Sequence, residues 1–422
     1  MKLTPPDHAR NMKLIGHSDI GGRGDGLQLM VHRGWAYVAH PWSQGFSIVD
    51  VRDPRRPGAA TYMAAPPNTW NIHLQTHDDL LLVINALDQF ADVRTFASEK
   101  AYYTQSMGRT LGETIDRTRG AGGAQRPWTA GMTVYDIAVP ERPRRIGQLD
   151  VEGIGFHRLW YVGGRWAYAS ALLDGYTDHI FVTIDMADPT RPQLVGRWWL
   201  PGMHPAGGET PQAPAGRRWA LHHALVHGDT AYACWRDGGL TLLDIADRSA
   251  PRLVCHRNWC PPYGGGTHSA LPLVERGLLV VADEAVLDNE EDGRKHTWVF
   301  DIREPANPIS IATFPIPDEI DYARKGGHFG AHNLHENRPG TFVSDRLVFA
   351  TWQNAGIRAF DISDPYRPRE SGALVPAAPR RMTDRRPGRP QVIQSADVFV
   401  DAQGLVYATD YNAGLEIIEY GG

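Results

Sequence analysis

Apolar and polar residues alternate along most of the chain in short runs. The run "FSIVD" from Phe46 shows the pattern, since alternate side chains of an extended segment face opposite sides. Such runs typically end in aspartate and an apolar residue, and a turn that contains proline follows. Proline fixes φ and prevents the strand from continuing. The pattern predicts an all-β chain of short strands and tight turns.

This strand and its turn belong to a phrase that recurs along the chain. Copies begin at Phe46, Met132, Phe181, Leu240, Trp298 and Ile357, and a truncated copy, "LEIIEY", closes the chain. Ahead of the copies stand two further strands joined by a tight turn, as in "HALVHGDTAYACW". Four strands per repeat are typical of the blades of a β-propeller, which pack around a central channel. The copies therefore predict a seven-bladed β-propeller.

The two ends of the chain are expected to share one blade. The segment "MKLIGHSD" near the N-terminus matches "RRIGQLD" in the middle of the chain, so that Ile15 corresponds to Ile146. The chain thus begins with the outermost strand of a blade and ends on a third strand. Joining the two would close the ring and remove its exposed sheet edges. We predict a single domain over residues 1–422, closed by the N-terminal strand that completes the last blade.

The repeated aspartate and proline phrase, seen in "VTIDMADPTRP" and "AFDISDPYRP", resembles the LVIVD repeat family. It is more distantly similar to the propellers of the selenium-binding protein and methanethiol oxidase group. The resemblance covers nearly the whole chain. It implies a fold and says little about chemistry, because the repeated residues are structural.

The composition is that of an ordinary soluble protein. Hydrophobic residues make up 42% and charged residues 22%, and a net charge of −5 gives no reason to expect nucleic acid as a partner. Neither an apolar signal region nor a membrane-spanning run is found, so we expect a cytoplasmic protein. The spacing of Cys234, Cys255 and Cys260 favours buried thiols over a disulfide framework or a zinc site.

The largest departure from the repeat is the insertion at residues 89–130, between the second and third strands of one blade. Its middle has a helical composition and its end is rich in glycine. A lid, a contact within a homo-oligomer and a solvated loop are the three roles that we weigh. Long connectors into the innermost strands, all on one rim, indicate a mouth built up over a binding site. They occupy residues 201–221, 256–266, 318–330 and 375–394.

Histidine recurs at the start of the innermost strands. Five of these strands open at His73, His157, His223, His268 and His332, and the other two carry Asp25 and Asp397. Equivalent positions at one end of these strands point toward one axis, so the imidazoles are expected to converge at one mouth of the channel. A wet channel end also tolerates histidine without a ligand. The number of equivalent histidines nevertheless favours a transition-metal site.

We therefore predict that His157, His223, His268 and His332 bind one ion of iron, manganese, copper or zinc, with His73 as a fifth ligand or a replacement. Three nearby side chains, His222, His335 and Glu336, are candidates for moving protons. The guanidinium of Arg158 is a candidate for holding the anionic group of a small-molecule substrate.

Such a site looks like the histidine-lined centres of three propeller families. Carotenoid-cleaving oxygenases hold iron, oligogalacturonate lyases hold manganese, and the methanethiol oxidase group is associated with copper. A shell of neutral imidazoles leaves the metal its positive charge for O2 or an anionic oxygen ligand. We expect a non-haem oxidoreductase or oxygenase. The alternatives are a metal-dependent lyase or hydrolase, and a non-catalytic propeller that presents its rim to a protein partner.

Overall fold

A computed structural model describes residues 3–91, 93–98, 100, 101, 103 and 126–422. Within these residues nearly all regular structure consists of short antiparallel strands joined by turns, as the alternating pattern predicts. Most of the 89–130 insertion lies outside the described residues, and with it the predicted lid or oligomer contact. No helix in the described part of the chain is long and apolar enough to cross a membrane.

The strands follow one another along the chain as antiparallel meanders. The N-terminal strands are β1 (His8–Arg10) and β2 (Met12–Ser18). The next meander contains β3 (Leu29–His32), β4 (Trp35–Ala39), β5 (Phe46–Asp50) and β6 (Ala60–Met63). It is followed by β7 (Thr69–Trp70), β8 (Leu74–His77), β9 (Leu80–Leu87), β10 (Gly131–Asp136) and β11 (Arg144–Asp150). After these come β12 (Gly153–Trp160), β13 (Trp166–Leu173), β14 (Ile180–Asp185) and β15 (Gln193–Trp198).

The second half of the chain continues in the same way. Two further meanders contain β16 (Trp219–His227), β17 (Thr230–Arg236), β18 (Leu240–Asp244) and β19 (Arg252–Arg257), and then β20 (Thr267–Leu273), β21 (Leu278–Asp283), β22 (Thr297–Asp301) and β23 (Ile309–Thr313). The remaining strands are β24 (Leu347–Thr351), β25 (Ile357–Asp361), β26 (Arg369–Val375), β27 (Ser395–Val400), β28 (Leu405–Asp410) and β29 (Gly414–Tyr420). Helical turns are short and occur at Val93–Thr95, Pro205–Gly207, Val274–Arg276 and, as α1, Tyr322–Lys325.

The N-terminal strand completes the last meander. Strand β2 pairs antiparallel with β29, from Met12 opposite Tyr420 to Ser18 opposite Leu415. Strand β1 pairs with β26 of the preceding meander, so the N-terminal segment joins two meanders. This is the closure that the sequence predicts, and it places β2 at an edge that would otherwise be unpaired.

The repeated phrase also determines how neighbouring meanders pack. A glycine of an outermost strand faces the proline turn of the next meander. A Cβ on Gly147 would lie 2.3 Å from the carbonyl oxygen of Pro189, and a Cβ on Gly16 would lie 1.9 Å from that of Pro54. The second contact joins β2 to the turn between β5 and β6. The last and first meanders are therefore neighbours, as a closed ring requires.

The β-propeller fold predicted from the sequence is thus confirmed. The count of seven blades and the single-domain boundary stay predictions, because neighbouring meanders merge into shared sheets of up to nine strands. The core lies between meanders, where large side chains such as Trp235, Trp352 and Phe360 are fully buried. All three cysteines are buried and free, as their spacing indicates.

Candidate metal and substrate site

A cavity of about 480 Å³ is lined by residues from the beginnings of the innermost strands and the ends of the strands beside them. One part of its wall is apolar and aromatic and contains Leu27, Pro41, Trp42, Trp70, Ile72 and Phe90. Another part is basic and contains Arg158, Arg217, Arg218, Arg236 and Lys295. Four described histidines line the cavity: His157, His222, His328 and His332. Three of them, His157, His222 and His332, come from three different meanders.

The histidines at this site lie at irregularities of the strand ladder. The pairing of β12 with β13 skips His157, and the pairing of β20 with β21 skips His268. In β16 the register shifts just before His223, in the segment that contains His222. A β-bulge adds a residue to one strand and turns its side chain away from the regular alternation. The bulges therefore determine which histidine side chains lie next to one another.

Three side chains form a group whose ligand atoms all lie within 4.8 Å of one another: His222, His268 and Glu284. The rings of His222 and His268 stack with centroids 3.6 Å apart. His268 Nε2 lies 3.5 Å from Glu284 Oε2. Two imidazole nitrogens and a carboxylate oxygen suit a transition metal.

Backbone contacts orient these rings. The Nδ1–H of His222 donates to the carbonyl of His268 at 3.0 Å, which leaves Nε2 of His222 with its lone pair. The Nδ1–H of His332 donates to the carbonyl of Ala396, and its Nε2 lies 3.3 Å from Glu284 Oε1. Fixing one ring nitrogen by a hydrogen bond is the usual way in which a protein sets the tautomer of a metal-binding histidine.

The carboxylate of Glu284 is buried and ionised. Burial by itself raises its pKa, but the adjacent Arg236 guanidinium, together with His268 and His332, outweighs burial and holds the pKa well below its usual range. Arg236 forms an ion pair with Oε2 of the carboxylate. Glu284 therefore brings one negative charge into a cluster of otherwise neutral or basic groups.

The imidazoles of His157, His222 and His268 are neutral. Burial is the main reason that the pKa values of His157, His222 and His268 lie well below 6.5, and the nearby Arg158 and Arg236 lower them further. A neutral imidazole keeps the lone pair that a metal needs. His157 packs against His222 with ring centroids 4.7 Å apart, and it faces the cavity.

Two of the predicted ligands, His73 and His223, lie together with ring centroids 5.5 Å apart, and neither lines the cavity. The backbone N–H of Leu159 donates to His73 Nδ1 at 3.3 Å, so the proton of the neutral ring is on Nε2. His223 Nδ1 lies 3.8 Å from Glu336. Neither histidine belongs to the group around Glu284, whereas His222, predicted to move protons, does.

The other predicted proton carriers have structural contacts. His335 donates from Nε2 to the carbonyl of Phe342 and accepts the N–H of Val400 at Nδ1, so both of its nitrogens are bound to the backbone. Glu336 lies 3.3 Å from buried Arg338, and burial raises the pKa of the glutamate. Neither residue lines the cavity.

Arg158 lines the cavity, and its role in holding an anionic group stays a prediction. It is 2% exposed, with one guanidinium nitrogen 3.0 Å from Gln28 Oε1 and another 3.5 Å from His268 Nε2. Its Nε has no hydrogen-bond partner among the described residues.

The two aspartates of the innermost strands hold the backbone. Asp25 accepts the N–H groups of Trp42 and Ser43, and Asp397 accepts the N–H of Leu29 and the side chain of Asn333. Burial raises the pKa of Asp397 to about 7. These contacts join the first meander to the last one and to the segment that carries His332.

Sequence reasoning missed Glu284 and Arg236. Both lie at or just after the end of a second strand, β21 or β17. In an antiparallel pair the end of one strand lies beside the beginning of the next, and the N–H of Glu284 donates to the carbonyl of Gly266 just before β20. The signal was therefore present in "VVADEAV", where a carboxylate follows an apolar strand at the same rim.

A family model for the LVIVD repeat matches residues 23–61 and 224–257. No curated protein matches the chain. Among solved structures the chain is similar to U3-55K, with a TM-score of 0.54 and 8% identity over 98% of this chain and 99% of that one. It is also similar to the β-propeller domain of Cps50 (Swd1) from Myceliophteria thermophila, with a TM-score of 0.53 and 10% identity over 97% of this chain and 99% of that one.

At these identities the structural likeness shows the fold alone. The more distant resemblance to the selenium-binding protein and methanethiol oxidase propellers stays a prediction. The repeat match and the propeller neighbours agree with the strand pairing described above. The chain is therefore a β-propeller, and two of its segments match the LVIVD repeat.

Proposed function

We propose that the cavity is the active site of a metal-dependent non-haem oxidoreductase that acts on a small molecule. The observation that carries this proposal is the convergence of His222, His268 and Glu284. Two histidines and one carboxylate leave several positions of a metal open, and this donor set is typical of non-haem iron oxygenases.

The residues present fit such an ion. The imidazoles are neutral and buried, and His222 has its Nδ1–H fixed by a backbone carbonyl. Bound there, a transition metal would supply a Lewis-acid and redox centre with open coordination positions. The ion pair with Arg236 holds the carboxylate of Glu284 in place.

The surrounding side chains have separate roles in the proposal. The apolar wall around Trp42 and Trp70 keeps water from the site, which strengthens electrostatic interactions inside it. His157 lines the cavity beside His222 and makes no hydrogen bond to another described side chain. As a neutral imidazole it can accept a proton from a substrate hydroxyl or water. Arg158 binds an anionic group of the substrate.

A metal-dependent hydrolase or lyase is the second candidate, because two histidines and one glutamate also hold zinc in hydrolases. A non-catalytic scaffold remains the rival from a different class. These candidates differ in the metal that the purified protein carries. Iron supports the oxidoreductase, zinc supports the hydrolase, and a metal-free protein with an intact fold supports the scaffold.

The experiment is elemental analysis of the purified chain and of single variants. We expect about one equivalent of a transition metal per chain, since the described residues contain one such three-residue donor group. The His222→Ala and His268→Ala variants should lose it. His227→Ala is the matched control, because His227 lies on the same strand β16 and is exposed.

The His223→Ala variant separates the two interpretations of the strand register. It should retain the metal if the bulged register is correct. Loss of metal from His223→Ala but not from His222→Ala would contradict the proposed ligand set. Metal-free wild-type protein with normal circular dichroism, even after growth with added iron, manganese, copper and zinc, would contradict the metal site altogether.

A further inference from the structure

The cavity carries more positive charge than its own acidic groups balance. The basic side chains that line it are Arg158, Arg217, Arg218, Arg236, Lys295 and Arg386, and the acidic ones are Asp237, Glu284 and Asp292. Four of the basic residues have carboxylate partners: Arg218 pairs with Asp178, Arg236 with Glu284, Lys295 with Asp292 and Arg386 with Asp384. Arg158 and Arg217 have none within ion-pair distance in the described part of the chain. Two guanidinium groups are therefore available for an anion.

Arg158 is the more informative of the two because it is almost fully buried. Burying a charge without a partner is costly, so such groups normally have a compensating ligand. The guanidinium is planar and matches the two oxygens of a carboxylate. It also lies within 3.5 Å of His268, so an acid group bound to it would be next to the metal group.

The wall around the anion position is aromatic. The ring of Phe90 packs against Trp42 with centroids 4.8 Å apart and against Trp70 edge-on with centroids 5.1 Å apart. Trp70 in turn lies 6.1 Å from the ring of His157, the residue that precedes Arg158. Flat rings with their faces and edges arranged in this way favour another ring over a flexible aliphatic chain.

We propose that the substrate of this site is a small aromatic carboxylic acid. Its carboxylate binds Arg158 beside the metal group, and its ring packs against Trp70 and its aromatic neighbours. The volume of about 480 Å³ is within the range of small-molecule sites. This inference rests on the proposed function in taking the cavity as the active site, but it concerns binding alone and does not require turnover.

The test is equilibrium binding of benzoate, cyclohexanecarboxylate, benzyl alcohol and benzylamine, measured by calorimetry. We expect benzoate to bind at least about tenfold more tightly than benzyl alcohol, since hydrogen bonds to charged groups are the stronger class. It should bind about two- to tenfold more tightly than cyclohexanecarboxylate, because of the ring contacts. Benzylamine should be the weakest ligand, since its cation meets unpaired arginines.

Two variants assign the selectivity. Arg158→Met should remove the preference of benzoate over benzyl alcohol, and Trp70→Leu should remove the preference of benzoate over cyclohexanecarboxylate. Arg165→Met is the control, because Arg165 is exposed and paired with Asp185 at 2.7 Å, away from the cavity lining. Should Arg158→Met fail to fold, the Trp70→Leu ratios still decide the aromatic part, and the benzoate to benzyl alcohol ratio of the wild type decides the anionic part.

Equal binding of benzoate and benzyl alcohol, or no binding of benzoate at millimolar concentration, would overturn the inference. All titrations are run on chelator-treated and on metal-loaded protein. Arg158-dependent benzoate binding by a protein that never takes up metal would support this inference and contradict the metal proposal. Stoichiometric metal binding by a protein that shows no preference for acids would support the metal proposal and contradict this inference.

Discussion

Replacing Glu284 by glutamine tests the electrostatics of the site. The change keeps the shape of the side chain and removes its negative charge. Arg236 then has no ion-pair partner, and its side chain is only 13% exposed. The change also removes a negative charge that lies within 3.5 Å of ring nitrogens of His268 and His332.

The magnitude follows from the burial of the pair. Removing one partner of a buried ion pair typically costs about 3–5 kcal/mol, because the other charge stays buried without compensation. Arg236 is partly reached by water and glutamine retains one oxygen acceptor. We therefore expect a loss at or just below the lower end of that range, about 2–3 kcal/mol in the free energy of unfolding.

The measurement is urea unfolding of chelator-treated protein, which separates ion-pair stability from metal binding. The matched control is Glu290→Gln, because Glu290 pairs with Arg294, whose side chain is 61% exposed. That change should lower the free energy of unfolding by less than about 0.5 kcal/mol. The double variant with Arg236→Met should recover part of the loss. Equal midpoints for the Glu284 and Glu290 variants would refute the buried ion pair.

Three further predictions concern the framework. Ile15→Ala, in the closing strand β2, should lower the free energy of unfolding in urea by about 2–4 kcal/mol, because the side chain of Ile15 is only 4% exposed. Ile309 is 56% exposed and should tolerate the same change. Similar losses for the two variants would contradict closure through β2. Gly155→Ala should lower the midpoint of thermal unfolding and weaken metal retention, because a Cβ there would lie 2.3 Å from a carbonyl oxygen of β9. An unchanged midpoint would contradict this contact. Burial lowers the pKa of His17, but the hydrogen-bonded carboxylate of Glu416 outweighs burial and raises it. The stability that this pair contributes should therefore be complete below pH about 6.5 and be lost as the pH rises through the folded pKa of the histidine. The free energy of unfolding of His17→Gln should lack this pH dependence.

The fold could be predicted from the sequence because its signals are local and repeated. The aspartate and proline phrase marks the third strand of each meander, and its copies begin within a residue of strands such as β5, β18 and β25. The match between the segments around Ile15 and Ile146 was sufficient to predict the pairing of β2 with β29. Because the same phrase occurs in several copies, a misalignment of one copy does not change the predicted fold.

The ligand set could not be predicted to the same accuracy, because it depends on single-residue shifts. Alternation in a strand has a period of two, so one extra residue exchanges His222 for His223. Whether a strand accommodates a bulge depends on its partner strand and on the packing at the rim, and alternation alone does not show it. Glu284 was missed for another reason. The repeated histidines lie on innermost strands, whereas Glu284 follows β21, the second strand of its meander.

The electrostatics of the cavity link the metal to the proposed acid. Burial and then the nearby arginines lower the pKa of His222 and keep its imidazole neutral, since both disfavour a second positive charge. A metal ion adds positive charge to this same basic cavity, where Glu284 is the one carboxylate of the metal group. A bound carboxylate lowers that cost, and the metal in turn strengthens binding of the carboxylate. Because such coupling is reciprocal, benzoate should slow the loss of metal to a competing chelator and raise the equilibrium affinity for metal by the same factor by which metal raises the affinity for benzoate.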